Sequence, residues 1–220
     1  GGSITSSISG ASLWLVNPAG FLFTDGAVVD VDGTFHLSTA DYLEFADRAR
    51  YFSNLSDRST LSTGEISSFG FLENSSGTIK IMSSLDASGE VDAREHNLSV
   101  NSDAIALSNV NLYAQEISIE TSDATEGNIK VRDSLLETDG GDIFFQGGAI
   151  YAVESVIAGY GRVGSEEGAT IQLTAPTITL SNVEMRGETE GFGRGSDILL
   201  GATTISIGDG STFDVSSKST

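Results

Sequence analysis

Cysteine is missing altogether, proline occurs twice and tryptophan once in 220 residues. Lack of cysteine excludes disulfide staples and thiolate chemistry, so the fold must rest on buried apolar surface and hydrogen bonds. Positive charge is scarce too, with 11 Lys and Arg against 31 Asp and Glu and a formal charge of −20. Such a surface repels nucleic acid phosphates and anionic membranes, and neither is expected as a partner. No stretch approaches the roughly 18 consecutive apolar residues a membrane-crossing helix needs, so no membrane insertion is expected. The two histidines, His36 and His96, lie far apart with no acid or nucleophile pattern around them, and no serine sits in a nucleophile elbow.

What the chain does have is 39% hydrophobic content and 26 glycines, a folded composition with many turns. Ile171, Leu173, Ile178, Leu180, Val183 and Met185 alternate with polar residues, and Leu98, Val100, Ile105, Leu107, Val110 and Leu112 repeat the pattern 73 residues earlier. Alternation at period two means strands with one buried face. Each unit reads as three short strands joined by brief corners. Ser108-Asn109 and Ser181-Asn182 mark equivalent corners, where Asn supplies left-handed backbone.

Further copies begin at 117, 143 and 198, giving spacings of 19, 26, 28 and 27 residues from the copy at 98 onward. A unit of three short strands cannot bury its apolar face alone, so the repeat predicts a stacked solenoid. The fold class is all-β, a parallel β-helix with three strands per coil, right-handed by the crossover rule. Upstream, 3–16 holds two strand-like runs, Asn17-Pro18-Ala19-Gly20 is a turn, and Phe21-Leu22-Phe23 resumes a strand. Turns at Thr24-Asp25-Gly26 and Asp32-Gly33 flank another strand. Over 39–55 a helix competes, since Asp41 and Glu44 have capping-box spacing, but Tyr42, Leu43, Phe45, Tyr51 and Phe52 favour strand. Residues 53–68 read as a polar excursion, with Phe69-Gly70-Phe71-Leu72 rejoining the core and 79–85 adding a strand.

The runs SLWLVNPAGFLF (12–23), VDVDGTFHLSTADYLEFAD (29–47) and FGFL (69–72), in this order, resemble the secretion domain of filamentous-haemagglutinin-like exoproteins, the large partner in two-partner secretion. The resemblance covers roughly the first 80 residues. It implies a right-handed β-helix, export through a dedicated outer-membrane transporter, a secreted or cell-surface location, and surface roles such as adhesion or haemolysis, of which adhesion to cells or surfaces is the one expected here. It places export recognition at Asn17, Pro18, Ala19, Gly20 and Phe21. The family usually has Asn where this chain has Ala19, and commonly Gly-Pro-Asn where it has Thr24-Asp25-Gly26. Absence of cysteine suits passage of an unfolded chain through an oxidising periplasm. On this basis 1–80 is the C-terminal part of a secretion domain and 81–220 continues the solenoid. The Gly-Gly start and the lack of Met before Met82 read as a processed or truncated piece.

Other candidate sites are weaker. Gly159 to Gly164 has the glycine spacing of a dinucleotide loop, but a loop and strand follow rather than a helix; the glycines read as corner residues and no cofactor is expected. Gly-aromatic-Gly-Arg occurs twice, so Tyr160 and Phe192 could stack on sugar rings while Arg162 and Arg194 bond hydroxyls or carboxylates; repeated turn chemistry explains the pair more simply. Asp139, Asp142, Glu166, Glu167, Glu188 and Glu190 are dispersed in or beside loops, as a solvated acidic surface would be, with a Ca²⁺ site the alternative. The chain is therefore expected not to be an enzyme, the competing class being a polysaccharide-acting β-helix enzyme or a glycan-binding module.

Overall fold

The computed structural model describes residues 2–24, 26–73, 75–82, 96–161, 168–189 and 195–217, and the backbone alone at 90–93, 190 and 218. Every regular element among them is a strand. The first coil is β1 (Ser3–Ser6), β2 (Leu13–Val16) and β3 (Phe21–Phe23). The second opens with β4 (Val28–Val31) and β5 (Phe35–Ser38), leaves the solenoid as β6 (Tyr42–Phe45), β7 (Arg50–Phe52) and β8 (Ile66–Gly70), and closes with β9 (Thr78–Met82). Coils three to five are β10 (Glu90–Ala93), β11 (Leu98–Ser102), β12 (Ala104–Ser108); β13 (Asn111–Ala114), β14 (Ile117–Thr121), β15 (Asn128–Arg132); and β16 (Leu135–Asp139), β17 (Ile143–Gln146), β18 (Ala149–Val153). Then come β19 (Val156–Gly161), β20 (Thr170–Thr174), β21 (Thr177–Ser181); β22 (Glu184–Glu190), β23 (Asp197–Gly201), β24 (Thr204–Ile207); and β25 (Thr212–Lys218).

These strands stack into three parallel sheets that form the faces of a β-solenoid of about seven turns. Face A runs β1-β4-β10-β13-β16-β19-β22-β25, face B β2-β5-β11-β14-β17-β20-β23, and face C β3-β9-β12-β15-β18-β21-β24. Register carries the repeat into space. Leu98, Ile117, Ile143, Ile171 and Ile198 form one inward-facing column, and Ile105, Ile129, Ile150, Ile178 and Ile205 another, whose last member, Ile205, is exposed. All twelve apolar residues of the two aligned sequence units are at most 1% exposed. Burying each Ile or Leu contributes about 1.5–3 kcal/mol, which is why a chain without disulfides holds this shape.

The corner from face C to face A is built the same way on four successive coils. Asn109, Asp133, Glu154 and Asn182 stack there with φ of 51°, 47°, 48° and 52°. The two asparagines were legible as left-handed corners; Asp133 is another residue type that tolerates this backbone, whereas Glu154 adopts it without being one. A serine ladder ties the next position together. The Val110 amide donates to Ser134 Oγ at 3.3 Å, the Ser134 amide to Ser155 Oγ at 3.2 Å, and both hydroxyls donate back to carbonyls two residues before them.

Two sequence expectations need correction. Phe69 to Leu72 does not rejoin the core: β8 pairs antiparallel with β6 in a separate three-stranded sheet, and the solenoid resumes only at β9. Ile66 to Gly70 (ISSFG) has no period-two apolar face to present to a neighbouring coil, and it finds its partner in β6. Gly159 and Gly161 are strand residues of β19 rather than corners. A Cβ on Gly159 would meet Ala169 Cβ at 3.0 Å, so close packing inside the coil selects glycine there. Over 39–55 the strand alternative holds, as β6 and β7.

Candidate functional site

Asn17 to Phe21 forms the corner from face B to face C in the first coil, where apolar β2 gives way to β3. The Asn17 amide extends the ladder by donating to the Ser38 carbonyl at 3.0 Å, and the Gly20 amide closes the turn on the Asn17 carbonyl at 2.9 Å. Pro18 fixes φ at the second position of that turn. The Asn17 side chain uses both ends of its amide. Oδ1 accepts from the Ala19 amide at 3.2 Å, and Nδ2 donates to the Gly20 carbonyl at 2.9 Å.

The turn is fixed from beneath as well. Gly20 has φ of 103° and approaches β9 so closely that an added Cβ would lie 2.4 Å from the Thr78 carbonyl oxygen. Gly77 fits under the turn, with the Pro18 carbonyl oxygen 2.6 Å and Thr39 Cβ 2.5 Å from where its Cβ would be. Fully buried Thr39 donates its hydroxyl to Ser102 Oγ at 3.0 Å, and Ser102 donates to the Gly77 carbonyl at 3.0 Å. Asn17 and Ala19 remain exposed on this base, while Pro18, Gly20 and Phe21 are half-buried. Phe21 packs against the core beside Phe23 and registers with Ile79.

The antiparallel extension is anchored near the same coils. Trp14, on the outer side of β2, stacks on His36 of β5, their ring centroids 3.5 Å apart, and meets Phe69 of β8 at 5.6 Å. Burial lowers the His36 pKa to about 4, so the imidazole is neutral at pH 7; its Nδ1 has no hydrogen-bond partner among the described residues. On the extension, Arg50 lies 4.6 Å over the Tyr42 ring and pairs with Glu44 at 2.7 Å. The aromatic anchor escaped the sequence reading, although period two places Leu13 and Leu15 inward and therefore Trp14 outward.

The family profile described as TPS secretion domain matches residues 1–192. The chain belongs to that family. Comparison with curated proteins and with solved structures gave no match. As a TPS secretion domain it takes part in two-partner secretion, interacts with an outer-membrane transporter, and is exported across the outer membrane to the cell surface or beyond.

Other candidates fare differently in this TPS domain. Tyr160 is the penultimate residue of β19, whereas Arg162, Phe192 and Arg194 lie outside the described residues, as do Glu166 and Glu167. Asp142 accepts the Thr170 amide at 2.7 Å, and burial, reinforced by the Asp142 charge, raises the Glu116 carboxyl above its usual range. Among the described residues no group of three or more metal-ligating side chains converges. His96 Nε2 lies 3.5 Å from Asp32 and far along the chain from His36.

Proposed function

We propose that the turn Asn17, Pro18, Ala19, Gly20 and Phe21 is what the transporter reads during export. The observation that carries this is the two-ended hydrogen bonding of the Asn17 amide, which holds an exposed turn in one shape above a buried base. A rigid protruding turn binds with little ordering cost, which favours recognition of a short motif. In this reading residues 1–80 carry the recognition features of a filamentous-haemagglutinin-like exoprotein and 81–220 extend its solenoid.

The exported chain then serves adhesion to cells or surfaces, with surface glycans as the partner class. Support comes from the destination of the family and from the paired Gly-aromatic-Gly-Arg segments, whose Tyr160, Arg162, Phe192 and Arg194 have the ring faces and guanidinium forks that sugars take. The role is non-catalytic, as the family is; a polysaccharide-acting enzyme is the disfavoured alternative.

The test is a titration of the purified chain against the periplasmic region of its transporter. Asn17→Ala should weaken binding about tenfold or more while the melting temperature drops by only a few degrees, as loss of about 1 kcal/mol implies. Unchanged binding would remove Asn17 from the role.

A further inference from the structure

The charge of this acidic chain is distributed very unevenly over its faces. The strands of face A contain nine Asp or Glu, and those of face B two. The seven strands of face C contain none, and instead carry Lys80, Lys130 and Arg132. All three cations are exposed, and none has an ion-pair partner among the described residues.

Register arranges them along the solenoid axis. The central outer column of face C reads Leu22, Lys80, Ala106, Lys130, Tyr151, Thr179, Ser206. Neighbouring rungs are about 4.8 Å apart, so Lys80 and Lys130 are separated by roughly 9.6 Å, and Tyr151 is one rung beyond Lys130. Arg132 is on the same strand two residues from Lys130, about 6.6 Å away and on the same face. Tyr151 is 37% exposed, and small hydroxyl residues continue the column past it.

We propose that face C binds a linear anionic polysaccharide lying along the axis. Lys80 and Lys130 would meet acid groups about one disaccharide apart, Arg132 would fork onto a carboxylate or sulfate, and Tyr151 would stack on a sugar ring. The inference gives the adhesive reading a ligand class and a face; its biological role, though not the binding itself, rests on that reading. The −20 body does not forbid it. At physiological salt the screening length is about 8 Å, so carboxylates on faces A and B act weakly on a ligand touching the middle of face C, while Asp133 and Glu154 at the corner into face A oppose binding only along the Arg132 edge.

The purified chain is titrated at about 0.15 M salt with heparin (sulfated), polygalacturonate (carboxylated), neutral dextran and duplex DNA. Saturable binding of at least one acidic glycan, with none of dextran and much weaker binding of DNA, is expected; the heparin and polygalacturonate arms tell sulfate from carboxylate. Lys130→Ser should weaken it about threefold to tenfold and Lys130→Ser/Arg132→Ser should abolish it, with melting unchanged because these side chains are exposed. Tyr151→Ser should weaken it further without altering charge, and Arg58→Ser on the extension should leave it intact. No glycan binding, equal binding of DNA, indifference to the face C substitutions, or face C-dependent self-association in place of glycan binding would each overturn the proposal. Glycan binding that the face C variants lose while the exported protein still adheres to cells would sink the adhesive reading instead.

Discussion

The Trp14 indole and the His36 imidazole lie face to face, 3.5 Å between centroids and 12° from parallel, where the extension meets the first two coils. Phe69 of the extension leans on the same indole, and Ser99 flanks His36 on the next strand of face B. A charged imidazole fits this environment poorly, so its pKa falls from 6.5 to about 4 on burial.

The first prediction follows from that shift. The unfolded chain takes up the His36 proton before the folded one, so the contribution of a neutral His36 is complete above pH 6.5 and is lost as pH falls towards 4. Allowing for partial exposure, the loss is about 1–2 kcal/mol. Phe at this position keeps the stack on Trp14 and removes the proton. Denaturant melts of wild type and His36→Phe should therefore diverge in the variant's favour between pH 6.5 and 4; parallel curves would show that burial does not set this titration.

The register makes a second prediction. Val183 is fully buried at the corner into β22, whereas its neighbour Glu184 is exposed and only pairs with Arg186 at 3.1 Å. Val183→Asp should cost several kcal/mol by burying an unpaired charge, and Glu184→Ser no more than about 0.5 kcal/mol. Comparable losses from the two in urea unfolding would contradict the register.

Strain at the repeated corner gives a third. Glu154 holds φ of 48° in a stack whose equivalent positions include Asn109 and Asn182. Glu154→Asn should stabilise by about 0.5–1 kcal/mol by supplying a residue that tolerates this backbone. Ser155→Ala should cost about 1–2 kcal/mol, since Ser155 Oγ serves both the Ser134 amide and the Val153 carbonyl. A destabilised Glu154→Asn variant would mean the side chain has a role the corner geometry does not reveal.

The coils were legible because their information is periodic. Leu98, Ile105 and Leu112 and their copies declare an inward face, and register follows once the copies are aligned. The extension was harder, since 53–68 reads only as a polar excursion and nothing in Ile66 to Gly70 (ISSFG) says that it forms a strand or which strand it joins. Asn17 was readable as a turn residue, and its Oδ1 contact with the Ala19 amide follows the local rule for Asn. Its base was not readable, because Thr39, Gly77 and Ser102 come together only after 63 residues of chain have wrapped. Face C shows the same limit. Net charge counts residues without regard to face, and only stacking reveals that Lys80, Lys130 and Arg132 share one without carboxylates in its strands.

Export of the protein carrying Asn17→Ala, co-expressed with its transporter, tests the account most directly when read beside the melting temperature of the purified variant. Gly20→Ala is the companion, since it damages the fold through a φ of 103° and a clash with the Thr78 carbonyl. The account predicts that Asn17→Ala loses most secretion while melting within a few degrees of wild type, whereas Gly20→Ala loses stability as well. Normal secretion of Asn17→Ala, or a loss of secretion matched by a loss of stability as large as that of Gly20→Ala, would contradict it.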